Sequence, residues 1–459
     1  MLIAFKVSNF RSFGTEVEFS CIATPEKTHG SRVYSGDRRG LRLLTIAAIF
    51  GANASGKSNL YRAVEFARNL VVMGVKLEAA IPVEPFRLDP KLREAPSSFE
   101  FQVLVDGQIM LYRFSVTSAA VVEESLREIR AASERLVFSR SAAGGDETKW
   151  DLDYFRQKGM SAEDAQFIAF VAKGTPKNQL FLREARARNV KCLNPLWQWF
   201  RQSLLLIDPQ TTAGGLEAEL EEEGLKRFST RILRNADVGI SKLGTRVISW
   251  ESVNLPKDLK ARLESDCKDG ESLLLRSSEG HRLSITREKG EMKATQLVSY
   301  HEAGGAAEPI VFDIRDESDG TQRIVDLLPA FHQLANADRE LAVFIDELDR
   351  SLHSRLTRAL VEGYLSCRPV LARTQLLFTT HDVTLLDHEL LRKDEVWMID
   401  KNEKGESELS SLSEYKLRSD KRLMKDYLLG RFGGVPNVHR LPLRPALAKT
   451  TGASSSESK

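Results

Sequence analysis

The chain has 459 residues, of which 42% are hydrophobic and 28% charged, and its formal net charge is +2. This is the composition of an ordinary globular protein long enough for two or three domains. The near balance of charge excludes a whole-chain attraction to nucleic acid or acidic membranes, although not a local basic patch. The four cysteines (Cys21, Cys192, Cys267, Cys367) are scattered without a C-x-x-C pair, which argues against a zinc site or a disulfide framework. No apolar run reaches the roughly 18 residues of a membrane span. Met1 to Val7 reads as a strand with a charge inside it rather than a secretory signal, so the cytoplasm is the expected compartment.

The first strong signal is Gly51-Ala52-Asn53-Ala54-Ser55-Gly56-Lys57-Ser58. It fits G-x-x-x-x-G-K-[ST], follows the apolar run Ile46 to Phe50 and precedes a helical pattern from about Asn59-Leu60. Small residues let the backbone wrap a triphosphate, and the helix N-terminus adds partial positive charge. Lys57 would reach the β- and γ-phosphates, and Ser58 would hold Mg²⁺. The competing reading, a tight structural turn, does not explain why the strand and the helix flank it.

From Pro82 to about Phe138 short alternating strands, with a turn at Asp106-Gly107, predict an antiparallel sheet. Gln102 and Gln108 lie in this stretch, and neither is assigned to a nucleotide-sensing role. Ser141 to Asp146 reads as a surface loop. From about Ser161 to Arg234 the pattern turns helical. Phe167, Phe170 and Val171 fall at i, i+3, i+4, and Trp197, Phe200 and Leu204 at i, i+3, i+7. These aromatic residues read as core rather than as a base-stacking platform. The acidic run Glu217 to Glu223 reads as a solvated helix face. No heptad is sustained, so the insertion is expected to be compact, serving either partner binding or as a structural lid.

Glu317-Ser318-Asp319-Gly320-Thr321-Gln322 precedes a strongly apolar helix and predicts a second anion-binding helix end. It cannot easily serve the phosphate of its own P-loop, so a head-to-tail dimer is the economical solution, with Asp349 at the interface. Leu341 to Ile345 reads as a buried parallel strand that delivers Asp346 and Glu347 at its C-terminal edge, where open α/β sheets bind ligands. Asp346 would support Mg²⁺, and Glu347 would polarise the attacking water. Thr374 to Thr380 is a further strand, ending at His381, a candidate sensor of the γ-phosphate. Asp400 to Ser413 reads as a polar hairpin, and the tail from Lys449 to Lys459 as disordered.

The order of these motifs resembles that of ABC-type ATPases. Asn9-Phe10-Arg11-Ser12-Phe13, followed by Gly51 to Asn59, resembles the opening of the SMC, RecF and OLD group. Pro85 to Asp89, Glu317 to Arg323 and Tyr427 to Pro436 are similar to segments of the RloA and AbiLi type of bacterial ATPase, relatives of the PARIS and Septu defence ATPases. The resemblance implies an α/β fold: an ABC-type P-loop ATPase head of two lobes with an inserted, mainly helical subdomain. The divisions expected are lobe I at 1–150, the helical insertion at 151–240, a β-rich return at 241–310, lobe II at 311–440 and a disordered tail at 441–459. It implies ATP and Mg²⁺ as cofactors. Arg11, Gly51, Asn53, Ser55, Gly56, Lys57, Ser58, Asn59, Ser318, Gly320 and Asp349 would contact nucleotide, Ser58 and Asp346 the metal, and Glu347 and His381 would act in catalysis.

By the same resemblance the chain would work as a homo-oligomer, either a head-to-tail dimer or a larger ring of dimers. It would regulate a separate Toprim-like nuclease in anti-phage defence, with a phage-encoded trigger. Only about sixty residues follow Lys401, too few for a nuclease domain of ordinary size. A RecF-like repair ATPase that binds DNA directly is the alternative. A generic P-loop kinase is a third reading, disfavoured by Ser318, Gly320 and His381.

Overall fold

The computed structural model describes residues 1–36, 40–141, 148–211, 216, 220, 222–270, 272–276, 282–302, 308–336, 338–415 and 423–435. The expected disordered tail, nearly all of the Ser141–Asp146 loop and most of the Glu217–Glu223 run lie outside these residues.

Three sheets organise the chain. The first is antiparallel. Its strands are β1 (Leu2–Ser8), β2 (Val17–Ser20), β4 (Ser97–Val105), β5 (Gln108–Val116), β6 (Val121–Ile129), β7 (Glu134–Ser141) and β8 (Thr148–Trp150), in the order β2-β1-β4-β5-β6-β7-β8. The β4–β5 hairpin turns at Asp106-Gly107, both at positive φ (49° and 73°). Gln102 and Gln108 sit on this hairpin as ordinary strand residues.

The second sheet carries the nucleotide motifs. It runs β18-β17-β3-β16-β15-β9, from β3 (Ile46–Gly51), β9 (Leu204–Ile207), β15 (Glu340–Ile345), β16 (Arg373–Thr379), β17 (Val396–Lys401) and β18 (Ser407–Ser411). All neighbours pair parallel except β17 with β18. Strand β3 is buried throughout, with Ala47 and Ile49 in one core and Ile46, Ala48 and Phe50 in the other. Such two-sided burial explains the unbroken apolar run in the sequence.

On one face the P-loop helix Lys57–Val72 lies between the parallel and antiparallel sheets, with Leu60, Ala63, Val64 and Ala67 in the shared core. On the other face lie the helices Asp319–Leu334 and Ser354–Cys367. Gln375 fastens the layers. Its amide accepts the N–H of Leu2 (2.6 Å) and donates to Leu2 O (2.9 Å) and Leu44 O (3.0 Å).

The third sheet, β10 (Ile240–Ile248), β11 (Ser272–Arg276), β12 (Arg282–Glu288), β13 (Glu291–His301) and β14 (Ile310–Asp313), is antiparallel. Its residues Ile240, Leu243 and Leu297 pack with the helix Glu223–Asn235 against Ile324, Val325 and Leu328.

Two expectations for the helical stretch need correction. Phe167 and Phe170, expected in the core, are 46% and 67% exposed. The helix Ala162–Lys173 buries Ile168, Val171 and Ala172 instead. The same i, i+3, i+4 spacing, one residue along, selects the apolar face, because aromatic residues on the neighbouring face satisfy the same periodicity. Leu204 is buried as expected, but it opens β9 rather than closing a helix. The chain leaves its helical course through a π-helical turn at Trp199–Ser203 and joins the parallel sheet beside β15. The stretch 151–240 therefore supplies an edge strand to the sheet that it was expected only to interrupt.

No helix among the described residues is long and apolar enough to cross a membrane.

Candidate functional site

The C-terminal ends of β3, β16, β15 and β9 bring four short segments to one sheet edge. They carry the P-loop, Thr379 to His381, Asp346-Glu347 and Asp208 to Gln210 in turn.

In the P-loop, Ala54 (φ 63°) and Gly56 (φ 120°) hold backbone conformations that L residues avoid. Gly56 is further constrained by contact, since a Cβ there would lie 2.2 Å from Ser407 Oγ and 2.9 Å from Ser12 Oγ. Those two hydroxyls, 2.8 Å apart, brace the loop from outside. Ser407 donates to Ser55 O (2.5 Å), and Asn59 Nδ2 donates to Ser12 Oγ (2.8 Å). The Asn9-to-Phe13 turn thus supports the loop's backbone, with Asn9 and Arg11 at positive φ (50° and 51°). The Arg11 guanidinium is held by Glu84 at 2.5 Å. Asn53 is exposed at the loop tip, and Ser58 is half-buried on the first helical turn.

Lys57 is buried and donates to Gly51 O (2.6 Å) and Ala52 O (3.0 Å), with His381 Nδ1 3.5 Å from its Nζ. Burial pushes its pKa down to about 8, against the opposing pull of Asp346, Asp349 and Glu347. His381 is also lowered, first by burial and then by the Lys57 charge, so its imidazole is neutral at neutral pH.

Asp346 is buried at the end of β15, where the Thr379 hydroxyl donates to its Oδ1 (2.6 Å) and accepts the Glu347 N–H (2.8 Å). Glu347 sits at φ 51°, the strained conformation that turns the chain out of the strand. Both carboxylate oxygens of Asp349 accept the His381 N–H at 3.2 Å. Asp349, expected at an interface, therefore also ties the two strand ends together within the chain.

Ser318 and Asp319 are exposed, and Ser318 caps its own helix by accepting the Thr321 N–H (3.2 Å). A Cβ on Gly320 would lie 2.6 Å from the backbone carbonyl of Ser351, so only glycine lets this helix start approach the turn after Asp349. Arg323, buried one turn later, donates to Asp208 O (3.2 Å) and Asp346 O (3.4 Å) and fixes the helix behind the sheet edge. The chain brings together Gly51, Ser55, Gly56, Lys57, Asp346, Glu347, Asp349 and His381. It leaves Ser318 as an exposed cap facing outward.

Several members were not foreseen. Thr379, Ser12 and Ser407 act through hydrogen bonds to motif residues. Asp208 ends β9, with its carboxylate accepting the Gln210 N–H (2.7 Å). It raises the pKa of Glu65 after the larger effect of burial, and also that of Tyr61. A signal was present: Leu204-Leu205-Leu206-Ile207-Asp208 has the same form as the apolar run ending at Asp346. The donor set fits a nucleotide with its metal. The buried Ser55 hydroxyl has no partner among the described residues, the Lys57 ammonium occupies carbonyls of its own loop, and a hydroxyl (Ser58) and a carboxylate (Asp346) supply the hard oxygens that Mg²⁺ prefers.

A parallel sheet with these groups at one edge defines a P-loop ATPase. The chain belongs to the family described as "AAA domain, putative AbiEii toxin, Type IV TA system", whose profile matches residues 46–387. No curated protein matches the chain. Two solved structures are similar at low identity. One is titled "Crystal structure of the SmcHead bound to the C-winged helix domain of ScpA" (13% identity, 89% of this chain, 97% of that chain, TM-score 0.39). The other is the SMC head domain from Thermotoga maritima (11% identity, 91% of this chain, 99% of that chain, TM-score 0.35).

Proposed function

We propose that the chain binds and hydrolyses MgATP and uses the nucleotide to control a separate effector, a Toprim-like nuclease, in an abortive-infection type of defence. The observation that carries the ATPase half is the approach of Lys57, Asp346, Asp349 and His381 at one sheet edge, with Glu347 at the turn. In this reading Lys57 moves from its own carbonyls to the β- and γ-phosphates. The P-loop amides and the Ser55 hydroxyl would bind the phosphates, and Ser58 and Asp346 would hold Mg²⁺, whose positive charge would offset the negative charge on the phosphates. Glu347 orients the attacking water, and neutral His381 donates a hydrogen bond to the γ-phosphate.

Ser318, Asp319 and Gly320 would complete the site of a second copy. The exposure of Ser318 and Asp319 supports this, because an exposed helix start has amides to offer a partner's phosphate. The regulatory half takes its support from the wording of the family description, "putative AbiEii toxin, Type IV TA system".

The test is affinity purification from the native host with wild-type and Glu347→Gln protein, followed by mass spectrometry and phage plating. A stoichiometric nuclease-like partner and altered phage sensitivity are expected. Recovery of DNA and repair proteins, with normal phage sensitivity, would replace this reading by the RecF-like one.

A further inference from the structure

Behind the helix Asp319–Leu334, whose start carries the Glu317–Arg323 signature turn, lies a cavity of ≈ 420 Å³. Its walls are the helices Glu223–Asn235, Asp319–Leu334 and Ser354–Cys367. The floor is buried and almost wholly apolar, formed by Ile324, Leu328, Leu360 and Tyr364. The volume lies within the roughly 300–1,000 Å³ usual for small-ligand sites.

Two features of the rim distinguish it from a packing gap. The first is Gly363, in the interior of the helix Ser354–Cys367. A Cβ added there would meet nothing within 4 Å, and its φ is ordinary. Neither a close contact nor a special backbone conformation calls for glycine, one of the poorest helix formers, and its effect is to leave the rim open. The second is Arg231. Its guanidinium lies over the Phe228 ring (5.8 Å to the centroid) at the same rim. Among the described residues no carboxylate pairs with it, whereas Arg227 and Arg234 on the same helix are paired with Glu223 (3.0 Å) and Glu302 (3.4 Å). Arg231 and Asn235 also line an adjoining concave surface bearing Lys226, Arg227 and Arg234. An apolar chamber therefore opens beside a cationic shelf, with Arg231 common to both.

We propose that this cavity binds a small amphiphilic anion: an apolar chain or ring system held in the chamber, with a carboxylate, sulfonate or phosphate at Arg231. The apolar part is driven in by desolvation, and the head is selected by charge. One wall is the helix that begins at Ser318, and another is the helix that follows Asp349. An occupant would therefore bear on the nucleotide site. That consequence rests on the function proposed above; the binding itself does not.

The test uses the full chain without nucleotide. Anilinonaphthalene sulfonate is titrated by fluorescence, then displaced with dodecanoate or with dodecylammonium, which has the same chain and the opposite charge. One saturable site per chain is expected, displaced by dodecanoate and not by dodecylammonium. Arg231→Glu should weaken binding at least about tenfold, because it reverses the charge at the head position. Gly363→Phe, which lays a ring across the rim, should remove the site while melting no lower than wild type. Equal displacement by the two amphiphiles, or unchanged dye binding in both variants, overturns the proposal. Binding that persists in Lys57→Ala protein, in which MgATP affinity should be strongly weakened, separates this site from the ATPase reading.

Discussion

The P-loop and the signature turn are both helix starts suited to anions, yet the protein builds them differently. The P-loop is enclosed by its own chain: Ser12 and Ser407 press on Gly56, and Lys57 is buried beneath the loop. Ser318 and Asp319 stand exposed, and among the described residues the Ser318 hydroxyl bonds only within its own first turn. What is fixed is the rear of that helix, where Arg323 reaches Asp208 and Asp346 and Gly320 abuts Ser351. One end is thus finished within its own chain, and the other is a rigidly aimed end with its face left open. Such a difference suits a protein whose second half-site is supplied by another copy.

The comparison breaks most completely at Lys57. Lys57→Ala should weaken MgATP binding by at least about a hundredfold, because it removes the cation buried beneath the loop, and isothermal calorimetry reads this directly. Retained affinity would mean that the finished end is not the nucleotide site. Glu347→Gln should lower turnover by about 10² to 10⁴ while sparing MgATP binding, since it removes only the group that orients water. Light scattering of this variant with MgATP should show a dimer, and a persistent monomer contradicts the open-face interpretation. Ser318→Arg should leave MgATP affinity within about twofold of wild type but abolish both dimerisation and turnover. Unchanged turnover would restore the kinase reading.

The smallest effect is one of pH. The free protein holds Lys57 near 8, below the ordinary lysine value, because it is buried. Bound phosphate would keep it charged, so binding above that pH must take up a proton. Affinity should be flat with respect to this group below pH 8 and fall by about tenfold per unit above it. Calorimetry at pH 9 in buffers of different ionisation enthalpy should register uptake approaching one proton, and zero uptake would contradict the buried-lysine account.

Much of the site was legible before any coordinates, because its motifs are local. A strand, a phosphate loop and a helix are consecutive in sequence, and an apolar run ending in Asp346-Glu347 shows by itself both its burial and where its carboxylates emerge. The α/β class was implied by the family resemblance that these motifs carry. Phe167 and Phe170 show where periodicity stops being enough. Two adjacent helix faces met the same spacing, and only the neighbouring structure selected Ile168, Val171 and Ala172 for burial.

Strand β9 depended on tertiary structure. Four apolar residues are too short to separate strand from helix by period. Their place beside β15 is a pairing between segments more than a hundred residues apart. Ser407 reaches the P-loop across a still longer separation, and the Arg323 contact with Asp346 joins a helix to the end of another strand. By itself the sequence determined which residues are candidates for phosphate chemistry, because that depends on residue type and close spacing. The tertiary structure alone decided what holds those residues in place and which helix start is left open, because hydrogen bonds between distant segments leave no periodic trace in the chain.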